Sequence, residues 1–358
     1  MGTLEPVTAA EDPILLDPPV DGIDVPRVSR WLSEHVDGAR APFRYDVIAG
    51  GHSNLTFKVT DAGGRAYVLR RPPLGHVLAS AHDMGREHRI ISGLAGSGVP
   101  VPPALGFCDD PAVNGAPFYV MGFVEGHVIR DIDGAAALSE DGRATASRSL
   151  ADTLAAVHAA DLERTGLTDL GRHEGYVARQ LKRWYGQWQQ QKTRDLPAVD
   201  EVHDALAGRI PSQGPATIVH GDYRLDNTMV ADDGTVVAVL DWEICTLGDP
   251  LADVGLLWVY WTGPDDEPSA WAGQSTTAPG FWNRREVVDR YAETSGRDLG
   301  DLDFYIAFGY WKLACILEGV YARYVGGALG RRDPAELEPF RHQVDRAAEM
   351  AADTASRL

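Results

Sequence analysis

The densest group of polar residues in the chain is residues 220–227, with the sequence HGDYRLDN. It follows the apolar pair Ile218-Val219, and a second apolar run, residues 236–240, ends in Asp241. Carboxylates and amides beside loops, at the ends of strands, are typical of functional sites rather than of cores. Asp and Asn oxygens are ligands that Mg²⁺ accepts, and a further carboxylate can take a proton from a hydroxyl. The two segments therefore indicate phosphoryl transfer, in which magnesium neutralises the phosphate charge.

The interval from Asp222 to Asn227 matches the interval between the catalytic Asp and the metal-binding Asn of protein kinases. His220-Gly221-Asp222, with Asn227 and Asp241-Trp242-Glu243, resembles the motif pair of the aminoglycoside phosphotransferase family. These are small-molecule kinases with the protein-kinase architecture, and the resemblance covers roughly residues 40–330. It implies that Asp222 is the catalytic base, that Asn227 is a magnesium ligand, and that Asp241 is the main magnesium ligand.

The resemblance also implies roles for neighbours in the same loop. His220 would orient the catalytic loop by hydrogen bonds, and Arg224 and Asp226 would touch substrate or phosphate. A bare His-Gly-Asp is more typical of an ordinary turn, but the offsets of Asn227 and Asp241 disfavour that interpretation. Another possibility is a metal hydrolase that uses His220, Asp222 and Asp241. The lack of further His clusters at ligand spacing disfavours it.

Two more acidic residues, Asp249 and Asp253, also match the family pattern. Asp249 stands before Pro250, and an Asp followed by Pro is a favourable start for a helix. We interpret both carboxylates as structural residues that brace the catalytic loop.

A glycine-rich turn between the first two predicted strands is the candidate phosphate loop. Glycines let backbone N–H groups approach phosphates closely, although many hairpins carry Gly-Gly without any function. The turn resembles the Gly-Gly-x-Ser-Asn loop of small-molecule kinases. That resemblance predicts nucleotide contacts by Gly50, Gly51, His52, Ser53 and Asn54.

The kinase fold pairs a lysine on the third strand with a Glu on the following helix. Here Arg70 stands at the place of the lysine, and Glu87 follows on the predicted helix. Arginine is planar and bidentate, so the phosphate geometry would differ, and a surface strand arginine is the alternative interpretation. Residues 118–126 resemble the interlobe hinge, whose backbone would bind adenine. The candidate hinge residues are Met121, Gly122, Phe123 and Val124, although Met121 is equally consistent with core.

The elements that position these residues predict an α+β protein with a bilobal, protein-kinase-like fold. We expect a leader and one helix in residues 1–40, then an antiparallel sheet with one helix from about Ser80 to Leu94 in a nucleotide-binding lobe, residues 41–124. Residues 125–358 would form a mainly helical catalytic and substrate-binding lobe. Its predicted helices are Asp141 to Ala160, Arg172 to Gln190, Ala198 to Gly208, Pro250 to Trp261, Arg284 to Ser295, Asp301 to Tyr324 and Pro334 to Ala355.

The composition narrows the possible partners. The formal net charge of −19 disfavours nucleic acid and anionic membranes, because both need a basic surface. The three cysteines form no C-x-x-C pair, and the N-terminus lacks a signal-peptide pattern. We expect a cytoplasmic monomer or homodimer, and the resemblance to small-molecule kinases implies that it uses ATP and Mg²⁺.

The acceptor is the least determined part. Leu69-Arg70-Arg71-Pro72-Pro73 resembles the branch found beside or fused to acyl-CoA dehydrogenases. The function that follows is ATP-dependent phosphorylation of a small-molecule hydroxyl, with a hydroxyacyl-CoA kinase or a nucleotide-binding pseudokinase scaffold as alternatives. A basic and aromatic group would suit an acyl-CoA, but an ordinary amphipathic helix explains it better; its members are Arg179, Lys182, Arg183, Trp184 and Trp188. Five more tryptophans would line an acceptor cleft or belong to the core, namely Trp258, Trp261, Trp271, Trp282 and Trp311.

Overall fold

The structure is a computed structural model that describes residues 20–48, 54–74, 83–269, 271–327 and 333–358. Four of the phosphate-loop candidates, Gly50, Gly51, His52 and Ser53, lie outside the described residues. The chain divides into two compact units. The first comprises the residues up to Gly85 together with Leu105–Met121, and the second comprises Arg86–Ala104 and Gly122–Leu358.

The first unit consists of a sheet and the helices that accompany its strands. In chain order the elements up to Gly122 are α1 (Val25–His35), β1 (Arg44–Val47), β2 (Leu55–Thr60), β3 (Ala66–Arg71), α2 (Met84–Leu94), β4 (Ala104–Cys108), α3 (Pro111–Asn114) and β5 (Phe118–Gly122). Most of α2 belongs to the second unit. Among the described residues these five strands form one sheet in the order β1-β2-β3-β5-β4, with β1–β2 and β2–β3 antiparallel.

The core of this unit forms where α1 packs on the sheet. The Asp24 side chain caps α1 by accepting a hydrogen bond from the Arg27 N–H, and Pro26 occupies the first turn, where no N–H is needed. The Trp31 ring then meets the Phe118 ring edge-on, with 5.0 Å between ring centroids. These rings are part of a larger buried apolar cluster, whose burial stabilises the unit.

The boundary between the units falls inside α2. From Arg86 onward this helix belongs to the second unit, because Arg86 donates to the Leu170 and Cys245 carbonyls and Arg89 pairs with Asp169. The sequence analysis assigned the whole helix to the nucleotide-binding lobe. Its side chains give no local signal of contacts about 80–160 residues away.

The second unit is mainly helical. Its elements are α4 (Ile132–Ala135), α5 (Glu140–Ala159), α6 (Tyr176–Gln191), α7 (Pro197–Ala207), β6 (Thr217–Val219), β7 (Thr228–Val230), β8 (Val236–Val239), β9 (Thr246–Gly248), α8 (Leu251–Tyr260), α9 (Arg284–Ser295), α10 (Leu302–Val325) and α11 (Pro334–Ala355), with short 3₁₀ turns at Leu225–Asn227 and Ser275–Thr277. Strand β6 pairs with β9 and β7 pairs with β8, both antiparallel.

Helix α10 lies at the centre of this unit and is buried along most of its length. It packs against α8, α6, α7 and α11. Gly255 of α8 allows the closest approach, because a Cβ there would overlap the Tyr305 backbone carbonyl. Within the described residues, none of the helices has the length and the apolar character that a membrane crossing requires.

Most predicted elements agree with the structure to within a few residues, and the predicted α+β class is confirmed. The differences among the helices are the short α3 and α4, which were not predicted, and the start of α6, at Tyr176 rather than Arg172. Gly175 precedes it with φ of +63°, a left-handed conformation that an α-helix does not continue. Strand β9 was not predicted, because three residues are too few to display an alternating pattern.

Candidate active site

The segment that carries Asp222 begins where β6 ends. All three residues of β6 are buried, and Val219 pairs with Thr246 of β9. Gly221 then adopts φ of +85°, and a Cβ at this position would lie 3.1 Å from the Ile244 Cδ1 atom. Glycine is therefore favoured here mainly for its conformation, since other residues rarely adopt this φ.

Asp253, in the first turn of α8, holds the backbone of this loop. Its Oδ2 accepts from the His220 N–H at 2.7 Å, and its Oδ1 accepts from the Gly221 N–H at 2.8 Å. The buried His158 Nε2 lies 3.2 Å from the same Oδ2. Burial alone would raise the pKa of Asp253, but these hydrogen bonds outweigh it and the pKa lies below its usual value. The ionised carboxylate thus braces the loop.

His220 connects this loop with the end of the next hairpin. Its Nε2 lies 2.9 Å from the Leu240 carbonyl, so Nε2–H donates, and its Nδ1 accepts from the Asp222 N–H at 3.3 Å. The ring is fully buried against Trp242, with 4.7 Å between ring centroids. The His220 ring therefore sets the spacing between Asp222 and Asp241, the residue that follows Leu240.

Asn227 is in direct contact with Asp222. Its Nδ2 donates to the Asp222 Oδ2 at 2.8 Å and to the Asp222 carbonyl at 2.8 Å. Because the nitrogen of the amide is used in this way, its Oδ1 is the atom that remains as a possible metal ligand. The Asn227 carbonyl in turn accepts from the Leu240 N–H at 2.8 Å, across the β7–β8 hairpin.

Asp241 follows Leu240 directly, and its backbone has φ of +60°. Non-glycine residues adopt this conformation rarely, and such residues are concentrated at functional sites. Asp tolerates it better than most residues, because its short polar side chain can bond locally. The hairpin therefore presents Asp241 and Asn227 from its two adjoining strand ends.

The oxygen atoms of Asp241 and Asn227 fit a magnesium site that has few protein ligands. Across the residues that the structure describes, no three His, Cys, Asp or Glu side chains come together as a metal-binding group. Mg²⁺ in phosphate-transferring sites, however, uses one or two protein oxygens and completes its shell with phosphates and water. One carboxylate from Asp241 and one amide oxygen from Asn227 suffice for that arrangement.

Arg224 lies among the carboxylates of the same loop. Its Nε is 2.9 Å from the Asp226 Oδ1 and 3.6 Å from the Asp222 Oδ2, and its guanidinium carbon is 4.7 Å from the centre of the Tyr260 ring. Burial would lower the pKa of Arg224, but the charges of Asp222 and Asp226 more than compensate and raise it. Arg224 thus remains charged and is held by the loop itself.

A cavity of about 230 Å³ in the second unit adjoins Asp222. Gly221, Asp222, Gln180 and Arg183 form part of its wall, and most of the remaining wall is aromatic and aliphatic. Lys312 of α10 also lines it, and the Lys312 Nζ donates to the Gly221 carbonyl at 3.2 Å. The sequence analysis did not select Lys312 as a site residue, although a single lysine inside an apolar helical pattern was a usable signal.

The acceptor-cleft tryptophans proved to be a mixed group. Trp311 and Trp261 are buried core residues, and Trp271 offers its carbonyl to Arg224 at 3.5 Å. None of the five borders the 230 Å³ cavity. Of the basic and aromatic group on α6, Arg183 and Trp184 line the cavity, while Trp188 is buried elsewhere.

The nucleotide-binding candidates are spread over both units. Arg70 lies on β3 opposite Thr56 and is half-buried, and Asn54 is buried just before β2, both in the first unit. Glu87 is buried on the part of α2 that belongs to the second unit. The predicted hinge begins as a buried strand at Met121 and continues as half-buried residues, Gly122, Phe123 and Val124. The Gly122 N–H donates to the Pro103 carbonyl at 2.8 Å.

Comparison with known proteins shows the family of the chain. Residues 44–293 match the model of the phosphotransferase enzyme family. Chicken acyl-CoA dehydrogenase family member 11 is 35% identical over 322 residues, which are 87% of this chain and 40% of that protein. The mouse acyl-CoA dehydrogenase family member 10 is 33% identical over a match that covers 91% of this chain and 30% of that protein. The chain thus spans less than half the length of these curated relatives.

A solved structure from Ralstonia eutropha JMP134, provisionally assigned as an aminoglycoside phosphotransferase, superposes with a TM-score of 0.79. It is 33% identical and covers 93% of this chain and 98% of its own. The fold and the site thus define a kinase-like phosphotransferase. The chain belongs to the phosphotransferase enzyme family, in the branch whose curated relatives are acyl-CoA dehydrogenase family members.

Proposed function

We propose that this protein transfers the γ-phosphoryl group of ATP to a hydroxyl of a small molecule. The observation that carries the proposal is the contact between Asp222 and Asn227 beside a cavity of about 230 Å³. A carboxylate with a fixed orientation at the wall of a cavity is suited to accept a proton from a bound hydroxyl. Membership in a phosphotransferase family supports the same reaction class.

Asp222 is the proposed base. The hydrogen bond from the Asn227 Nδ2 occupies its Oδ2, so the Oδ1 is the oxygen better able to accept the acceptor proton. His220 and Asp253 act as positioning residues, because they bind the loop backbone on either side of Gly221. Arg224 contributes positive charge next to the reacting group, where negative charge on the phosphoryl group requires it.

Asn227 and Asp241 are the proposed magnesium ligands. Bound Mg²⁺ would neutralise the phosphate charge and orient the phosphates for in-line transfer. On the nucleotide side, Arg70 and Asn54 are proposed phosphate contacts with residues 50–53, Glu87 is the proposed partner of Arg70, and the backbone of Gly122 to Val124 is proposed to bind adenine.

The test is ADP release from ATP and Mg²⁺ in the presence of a panel of hydroxylated acceptors. Asp222→Asn should reduce kcat by about 10²–10⁴-fold with little change in ATP affinity, since it removes a general base. Asp232→Asn is the matched control, because it removes the same charge from an exposed position on the β7–β8 hairpin. If Asp222→Asn retained activity within a few-fold of wild type, the assignment of the base would be wrong.

A second experiment separates an enzyme from a nucleotide-binding scaffold. Asp241→Asn should raise the Mg²⁺ concentration needed for half-maximal turnover by about tenfold or more, because a carboxylate ligand becomes a neutral amide. If the protein binds ATP in a thermal-shift assay but phosphorylates none of the acceptors in the panel, the result would support the scaffold instead.

A hydroxyacyl-CoA kinase is the second candidate within the same reaction class. Two observations favour it: the relatives are named acyl-CoA dehydrogenase family members, and the cavity has an aliphatic wall formed by Ile244, Leu256, Leu313 and Ile316. Including hydroxyacyl-CoA thioesters in the acceptor panel decides between this candidate and a general small-molecule kinase.

A further inference from the structure

Arg86 lies on α2 directly before Glu87, and its guanidinium connects two other parts of the second unit. Its Nη1 donates to the Leu170 carbonyl at 3.2 Å, and its Nη2 donates to the Cys245 carbonyl. These carbonyls lie 84 and 159 positions further along the chain. One half-buried side chain therefore holds three distant segments together.

The two segments that accept these hydrogen bonds also meet each other. Gly171 packs so closely on β9 that a Cβ there would lie 2.4 Å from the Thr246 Oγ1 and 3.0 Å from the Leu247 nitrogen. Any larger residue at this position would push the two segments apart. Because a planar guanidinium carries its N–H donors in a fixed fork, Arg86 is suited to bind two carbonyls where their segments come together.

The segment that contains Cys245 also carries Asp241. The Cys245 N–H donates to the Trp242 carbonyl at 3.1 Å, which closes a tight turn directly after Asp241. The Trp242 indole N–H donates to the Val239 carbonyl at 3.0 Å, and the indole ring is buried. A hydrogen bond to the Cys245 carbonyl therefore fastens α2 to a compact turn that begins next to the proposed magnesium ligand.

A second arginine of α2, one turn further on, provides a comparison. Arg89 donates to the Gly166 carbonyl at 2.6 Å and pairs with the Asp169 carboxylate at an exposed position. Arg89 thus attaches α2 to residues 166–169, whereas Arg86 attaches it to the turn after Asp241 as well. Glu87, which is 2% exposed, follows Arg86 directly.

We propose that Arg86 is a positioning residue that fixes Glu87 relative to Asp241, so that the binding of nucleotide and the binding of Mg²⁺ reinforce each other. This inference rests on the proposed phosphotransferase function and adds the residue that couples its phosphate side to its metal side. Groups whose relative position is set in advance bind more tightly together, because less order has to be imposed when the ligands arrive.

Calorimetry of ATP binding with and without Mg²⁺ measures this coupling as a ratio of two dissociation constants. Mg²⁺ should tighten the binding of ATP to the wild-type protein. Arg86→Met should reduce the ratio by about fivefold or more, since two hydrogen bonds from a charged donor are lost. Arg89→Met is the matched control on the same helix and should keep the ratio within about twofold of wild type.

Arg86→Lys separates the connection of the two segments from a simple effect of charge. It keeps the positive charge, but an ammonium group is a point charge without the guanidinium fork. The variant should therefore lose the coupling as Arg86→Met does. Full recovery of the wild-type ratio in Arg86→Lys would overturn the proposal, because a positive charge near the phosphates would then be sufficient.

Turnover gives a second measurement. In the ADP-release assay, Arg86→Met should raise the KM for ATP by about tenfold and change the KM for the acceptor by less than about threefold. A role confined to stability would instead lower kcat through the amount of folded protein and leave KM unchanged. The unfolding temperature of each variant, measured without nucleotide, identifies that case.

The outcomes distinguish this inference from the proposed function. If wild type binds ATP more tightly with Mg²⁺ and Arg86→Met does so to the same extent, the inference is wrong and the proposed function stands. An equal loss of coupling in Arg86→Met and Arg89→Met would also overturn the inference, since any attachment of α2 would then be enough. A wild-type protein that binds no ATP would contradict the proposed function itself.

Discussion

Asp253→Asn removes one charge and leaves the shape of the side chain unchanged, so it isolates the electrostatic part of the loop brace. The carboxylate has two backbone donors, the N–H groups of His220 and Gly221, one on each oxygen. An asparagine amide has one oxygen and one NH₂ group. Whichever way the amide is turned, one buried backbone N–H faces another donor.

The magnitude follows from this count of donors. One charge-assisted hydrogen bond is lost, and one buried donor is left without an acceptor, which together should cost about 2–4 kcal/mol. The loop that carries Asp222 should become less ordered as well, so we expect kcat to fall by about tenfold or more. Urea unfolding followed by tryptophan fluorescence measures the first effect, and ADP release measures the second.

Asp249→Asn is a matched control on the same short segment. Asp249 is also buried, but its Oδ2 accepts from the Tyr305 hydroxyl at 2.7 Å and its Oδ1 from the Leu251 N–H at 3.1 Å. A hydroxyl can accept as well as donate, so an NH₂ group can replace the Oδ2. The cost should stay below about 1 kcal/mol. Equal destabilisation by the two variants would refute the argument.

The effect should also depend on pH in a defined direction. The pKa of Asp253 is lower in the folded protein than its usual value, so the carboxylate stabilises the fold above the unfolded-state pKa of about 3.9. That contribution is lost as the pH falls through the lower, folded-state pKa. The difference in unfolding free energy between wild type and Asp253→Asn should therefore be constant above about pH 5 and shrink below about pH 4.

Two glycine substitutions test the packing that supports the site. Gly255→Ala should destabilise the protein by about 1–3 kcal/mol, because the added Cβ overlaps the Tyr305 carbonyl, whereas Gly186→Ala on α6, where nothing lies within 4 Å, should stabilise it by about 0.5–1 kcal/mol. Gly221→Ala should lower kcat, because φ of +85° and the contact with Ile244 strain the loop beside Asp222. The unfolding temperature of this variant should change comparatively little. A Gly255→Ala protein as stable as Gly186→Ala, or a fully active Gly221→Ala protein, would contradict these expectations.

The residues of the candidate site differ in how far the sequence alone could identify them. Asp222 and Asn227 lie five positions apart in one loop, and Asp241 ends the next hairpin, so their relation is local and visible as a spacing. The helices were predictable for a similar reason, since apolar periodicity and caps such as Asp24 and Asn283 act within a few residues.

The brace and the cavity were decided by packing between distant segments. Asp253 meets His158 across 95 positions of the chain, and Lys312 meets Gly221 across 91. Nothing in the sequence near Lys312 indicates that its ammonium group lies beside the loop that carries Asp222. The sequence by itself determined the reaction class, because the chemistry of phosphoryl transfer needs oxygen ligands at a short, fixed spacing. The tertiary structure alone decided the charge and shape of the cavity beside Asp222, because these arise only when α6, α8 and α10 pack around the end of β6.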